Sequence, residues 1–165
     1  MGAIRTTPKS STARTLDHIN VPVLQTQLAA LSTFVTPELD GWFADLRRPS
    51  FAPPNWLFGP VWTALYILMG IAAGLVSGNG HERTVGRSLG PYAVQLLVNA
   101  AWSLVFFGLH EPKGAIGAIV ILLALLVLNM RSFFSVVRTA GWLLVPYLAW
   151  VAFASVLHTG LVVLN

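Results

Sequence analysis

Five stretches of this sequence carry no Asp, Glu, Lys or Arg: 18–37, 55–77, 88–110, 114–130 and 139–165. Short charged segments separate them. A helix needs about 20 residues to cross about 30 Å of hydrocarbon. Runs of this length limit the chain to folds that hide apolar helices from water. Only 10% of the residues are charged and 55% are hydrophobic, whereas a soluble domain carries about 25% charged residues. The runs are continuous, as in ILLALLVL at 121–128. They lack the short alternating strands of a membrane barrel.

The fold expected is therefore an all-α integral membrane protein, a bundle of five transmembrane helices. The helices are placed at about 19–36, 56–76, 89–109, 114–134 and 141–163. The first is diluted by Pro22, Gln25, Gln27, Ser32 and Thr33, so it either spans or lies at the interface. Residues 1–17 read as a polar tail and 18–165 as one membrane domain. Within it, the loop 37–55 contains Pro37, Pro49, Pro53 and Pro54. Proline fixes φ and removes a donor, so this loop is irregular but stiff, suited to form a lid. Pro91 is expected in the first turn of the third helix. Gly70 and Gly74 offer a flat strip for close helix contact.

Seven Lys and Arg fall on the side of the N-terminal tail and three on the other. That bias predicts a cytoplasmic N-terminus. The placement expected is a bacterial cell membrane. Basic residues are spread over loops and form no face for nucleic acid. The chain has no cysteine, which excludes disulfides and thiol chemistry. The four histidines have no metal-binding spacing, and no metal site is expected.

The chemistry-bearing residues form stripes. Trp62, Tyr66 and Met69 share one face of the second helix, at i, i+4 and i+7. Gln95, Asn99 and Trp102 make a stripe on the third, and Trp150, Ala154 and His158 one on the fifth, beside Phe153. A polar side chain facing lipid is costly, so Gln95 and Asn99 should face inward. Two readings are open: hydrogen-bonded glue between helices, or polar anchors in an aromatic-walled pocket. His158 has three: a bond to a neighbouring helix, titration, or approach to a bound porphyrin.

Three ordered blocks carry a resemblance. They are PELDGWFADLRRPSFAPPNWLFGPVWTALYILMGIAA at 37–73, QLLVNAAWSLVFFG at 95–108 and WLLVPYLAWVAFASVL at 142–157, closing with LN at 164–165. The chain resembles the TspO/MBR family of tryptophan-rich sensory proteins, which includes the mitochondrial translocator protein. The resemblance implies a five-helix bundle, often a homodimer in membrane lipid, that binds porphyrins and other flat hydrophobic molecules under a lid formed by the first loop. Ligand contacts then fall on Phe43, Pro53, Trp62, Tyr66, Asn99, Trp102, Trp150 and Ala154, with Gln95 and Phe153 beside them. It implies no required cofactor, with protoporphyrin IX or haem as ligand. The function expected is a receptor or transporter-like role in tetrapyrrole or stress homeostasis. One alternative is a light- and oxygen-dependent porphyrin-degrading enzyme, with Trp62 and Trp150 as its catalytic residues. Another is a regulatory membrane scaffold. The sequence departs from the family at the weakly apolar 21–36, at Phe43 where tyrosine is usual, and at His158 where asparagine is common.

Overall fold

Each helix keeps an inner stripe that repeats at alternating steps of three and four residues. On α2 (Phe58–Asn79) the buried stripe is Leu65, Met69, Ala72, Ala73 and Val76. On α4 (Pro112–Val136) it is Ala115, Ile119, Leu122, Leu126, Asn129 and Phe133. This spacing presents one seam to neighbours crossing at a shallow angle, as in bundles. The seam of α3 (Glu82–Ser103) is different in kind. Ser88, Tyr92, Gln95, Asn99 and Trp102 are all buried, so its interior edge is polar and aromatic. The outer faces carry the apolar bulk, including Ile67, Ile71, Leu97, Val120 and Leu128. That inside-out distribution fits a hydrocarbon surround.

The computed structural model describes residues 41–165. A short helix α1 (Trp42–Asp45) and a 3₁₀ turn at Asn55–Leu57 precede α2. The end of α3 widens into a π turn over Leu104–Gly108, and α5 (Arg138–Leu143) and α6 (Val145–Leu164) follow α4. Among the described residues, four helical spans are long and apolar enough to cross a membrane: Asn55–Asn79, Arg83–Gly108, Pro112–Val136 and Arg138–Leu164. These are the second to fifth of the expected helices. The first, the 1–17 tail and the start of the 37–55 loop lie outside the described residues.

Two boundaries differ from expectation for physical reasons. The third expected helix starts at Glu82, seven residues before Leu89, so Arg83 and Arg87 belong to it. Long arginine side chains reach water while their backbone stays helical. Pro91 therefore lies inside α3, not in its first turn. Its ring leaves the Arg87 carbonyl without the usual amide partner, and Arg87 is exposed. The fifth helix is broken at Leu144, just before Pro146, where Leu144 N–H turns back to the Gly141 carbonyl at 3.2 Å.

The packing is uneven. α4 lies between α3 and α6, and α2 meets α5. By contrast, α2 and α3 hold their backbones apart although only Gly80 and His81 join them. Gly74 is exposed, with nothing within 4 Å of the place a Cβ would take, so that half of the expected glycine strip faces away from the described helices. The tight approach is elsewhere. Gly141 is buried, and a Cβ there would run into the ring of Phe134, which Trp142 meets edge-on at 5.5 Å. Val137 is the one residue between α4 and α5, so the ring has little room to move. Gly141→Val should therefore cost about 1–3 kcal/mol by overpacking. The check is a lowered thermal unfolding midpoint in detergent.

Candidate ligand-binding site

What separates α2 from α3 is a layer of large side chains. Trp62 is central to it. Its ring stacks on Tyr66 at 5.6 Å, faces Trp102 at 6.4 Å and meets the edge of Tyr147 at 6.1 Å. Trp62 and Tyr66 come from one face of α2, Trp102 from α3 and Tyr147 from α6. Trp102 continues the layer by stacking on Phe106 at 5.7 Å. On α6, Trp150 meets Phe58 at 5.8 Å and Phe153 at 5.7 Å. Ring pairs at such separations prefer offset and edge-on geometries.

The polar atoms lie among these rings. Asn99 Nδ2 donates to the Tyr66 hydroxyl at 3.0 Å. Gln95 Oε1 accepts from Asn129 Nδ2 at 2.8 Å, and that same amide reaches the Pro91 carbonyl at 3.4 Å. Each amide thus spends one end on a neighbouring helix, as the glue reading requires. The other ends of Asn99 and Asn129 are unspent. Asn99 Oδ1, Asn129 Oδ1 and Trp150 Nε1 are buried without a hydrogen-bond partner, whereas the Gln95 side chain faces the Tyr147 hydroxyl. Leaving a buried polar group unpaired costs about 1–3 kcal/mol. Of these residues, Asn99 and Trp150 belong to the aromatic layer and Asn129 to α4.

The expected residues divide by place. Trp62, Tyr66, Asn99 and Trp102 meet in the layer between α2 and α3, while Gln95 is turned to Asn129 of α4 and Tyr147 of α6. Trp150 and Phe153 line the adjoining face of α6, with Ala154 half-buried next to Phe153. Phe43 sits at the end of the bundle, 2% exposed, boxed by Phe58, Phe106 and Phe107 at 5.9–6.1 Å. Pro53 is half-buried in the loop. Sequence reasoning missed Tyr147 and Asn129. Tyr147 lies three residues before Trp150, on nearly the same helical face. Asn129 is a lone amide ending the apolar run LLALLVLN, the signal that picked out Asn99.

The proline-rich loop is tied down onto α6. Arg47 N–H donates to Asn165 Oδ1 at 3.1 Å, and Asn165 Nδ2 donates back to the Arg47 carbonyl at 3.0 Å. Pro49 lies against Gly160, where a Cβ would stand 2.6 Å from the proline ring. Phe51 meets Phe153 edge-on at 6.4 Å. Arg48 spans the loop to Asn55 Oδ1 at 2.7 Å. At the other edge Trp42 stacks on His110 at 4.6 Å, a residue held at φ 55°. A non-glycine residue in that left-handed region needs such support.

A membrane-embedded helical bundle with an inward amide and tryptophan layer beneath a pinned loop is the class that fold and site define. The family model described as "TspO/MBR family" matches residues 20–164. The chain belongs to the TspO/MBR family. It is 44% identical over 137 residues to a "Tryptophan-rich protein TspO" of Chlorobaculum tepidum, covering 81% of this chain and 85% of that one. It is 41% identical over 118 residues to "Protein CrtK" of Rhodobacter capsulatus, covering 71% and 74%. It is 38% identical over 130 residues to the human "Translocator protein", covering 77% and 76%.

The loop contacts make a prediction that needs no ligand. Asn165→Ala removes both bonds to Arg47, each contributing about 0.5–1.5 kcal/mol. Local opening of the loop should rise severalfold. Trypsin cleavage after Arg47 in the solubilised protein should accelerate accordingly, with global unfolding unchanged.

Proposed function

We propose that this integral membrane protein is a receptor or transporter-like protein that binds porphyrins in the layer between α2, α3 and α6. The observation that carries this reading is the set of unpaired buried polar atoms set among indole and phenol rings. A flat tetrapyrrole fits that chemistry. Its π faces match Trp62, Trp102 and Trp150. Its ring nitrogens and carboxylates match the unpaired donor at Trp150 and the unpaired acceptor at Asn99. Pockets of this type are mostly apolar, with a few polar groups that fix orientation. The loop 46–54 acts as the lid, since it is held against α6 beside Phe153. The names of relatives, "Translocator protein" and "Tryptophan-rich sensory protein", are in keeping with binding coupled to movement or signalling.

We place the N-terminus in the cytoplasm of a bacterial cell, so that the pinned loop and Asn165 face outward. Arg83, Arg87, Arg131 and Arg138 then lie at the cytoplasmic end, as the distribution of positive charge favours. A homodimer is the assembly proposed, and the membrane role is tetrapyrrole or stress homeostasis.

One observation favours a second reading. The Trp150 indole carries an unpaired N–H and lies three residues from Tyr147, which touches Trp62. Aromatic groups so placed could exchange electrons with an excited porphyrin, as a light- and oxygen-dependent porphyrin-degrading enzyme requires.

The test is titration of protoporphyrin IX into detergent-solubilised protein, followed by illumination in air. Saturable quenching of tryptophan emission is expected, and its absence at micromolar ligand refutes the binding reading. Asn99→Leu should weaken binding about tenfold, because it removes the acceptor that Asn99 Oδ1 offers a ligand donor. Trp150→Phe should weaken it only a few-fold, since most apolar contact remains. If a new pigment forms in light, the Phe variant should nearly abolish it. Unchanged turnover removes Trp150 from that chemistry.

A further inference from the structure

His158 is the buried imidazole of the described chain, 2% exposed and within the last span. Both of its ring nitrogens are engaged, by different elements. Trp102 Nε1 donates to His158 Nδ1 at 3.4 Å. His158 Nε2 lies 2.6 Å from the Pro112 carbonyl at the start of α4. An indole N–H can only donate and a carbonyl can only accept. Nδ1 must therefore hold its lone pair, and Nε2 must carry the hydrogen. One tautomer of the neutral ring satisfies both partners. Phe106 closes the remaining side edge-on at 4.8 Å.

This geometry decides among the roles open to His158. With both nitrogens spent on protein groups, the ring has no lone pair directed at a bound ligand. What it holds is Trp102, whose ring forms one wall of the proposed site through Trp62. Without the imidazole, the indole N–H would lose its partner, and the ring would have only stacking contacts to set its angle.

We propose that His158 is a positioning residue: as the neutral Nε2–H tautomer, it anchors on the Pro112 carbonyl and fixes the Trp102 face against which the ligand stacks. The inference rests on the porphyrin-binding reading for its functional consequence, but its structural half stands separately. The two nitrogens can be tested one at a time. His158→Asn places an amide oxygen near the Nδ1 position and keeps an acceptor for Trp102. His158→Gln places its amide near the Nε2 position and keeps the Pro112 contact, with no acceptor where Nδ1 stood.

The experiment records indole N–H resonances of the full-length protein in detergent, with the Trp102 signal assigned by its loss in Trp102→Phe. Protoporphyrin IX is then titrated into each variant. His158→Asn should keep the Trp102 resonance near its native position and the affinity within about threefold, whereas His158→Gln should move the resonance and weaken binding about tenfold. Both should retain native helix content and unfolding midpoint. A native resonance and affinity in His158→Gln would overturn the proposal. So would equal losses in both variants that track a lowered unfolding midpoint, because those report only a packing role. If the native protein binds no porphyrin, the functional reading fails, while the indole resonance still decides whether His158 holds Trp102.

Discussion

Hydrocarbon offers no hydrogen bonds, and the arrangement of this bundle depends on that fact. An amide facing lipid must lose its water without compensation, so Gln95, Asn99 and Asn129 turn toward other helices. Once inside, they need partners, and they take them from different elements. Asn99 finds Tyr66 on α2, and Asn129 ties Gln95 and the Pro91 carbonyl of α3 to α4. These bonds, with those of Ser88 to Ser132 and of Tyr92 to the Met69 carbonyl, favour the rotation of α3 that turns its stripe inward. The rotation then sets Trp102 toward Trp62. The aromatic layer is in this sense a consequence of amide desolvation.

The same bonds leave a remainder. Each amide has two ends, and at Asn99 and Asn129 helix contact uses only one. A bundle built purely for stability would fill such positions with apolar side chains, since half-satisfied polar networks are worse than an apolar core. Retaining them costs stability that a ligand would return on binding. The wide spacing of α2 and α3 tells the same story in steric terms: two indoles and a phenol hold those helices farther apart than leucine seams would.

Much of this was legible in the residues, for reasons that can be named. Charge-free runs located the four described spans, because length in an apolar medium is a hard constraint. The cost of burying amides in lipid located Gln95 and Asn99. Asn129 escaped because, unlike Gln95 and Asn99, it shares its stripe with no tryptophan. The early start of α3 escaped because Arg83 and Arg87 look like loop residues, although long side chains permit helix beneath them. The bonds of His158, and those of Asn165 to Arg47, join residues 46 or more apart in sequence, and no periodicity encodes such pairs. The loop was legible as stiff from its prolines. That it rests on Gly160 was not, since the glycine only matters once Pro49 arrives against it.

The π turn at Leu104–Gly108 sets the orientation of everything beyond it. Its hydrogen bond runs from Leu109 N–H to the Leu104 carbonyl at 2.9 Å, one residue longer than an α-helical bond. Such a turn accommodates one surplus residue, and so shifts the angular phase of the chain by about 100° relative to an uninterrupted helix. Phe106 and Phe107, both within the turn, reach Phe43 at 6.0 and 5.9 Å. The end of α3 thus faces the loop at an angle of its own, while Trp102, stacked on Phe106, couples it to the amide stripe below.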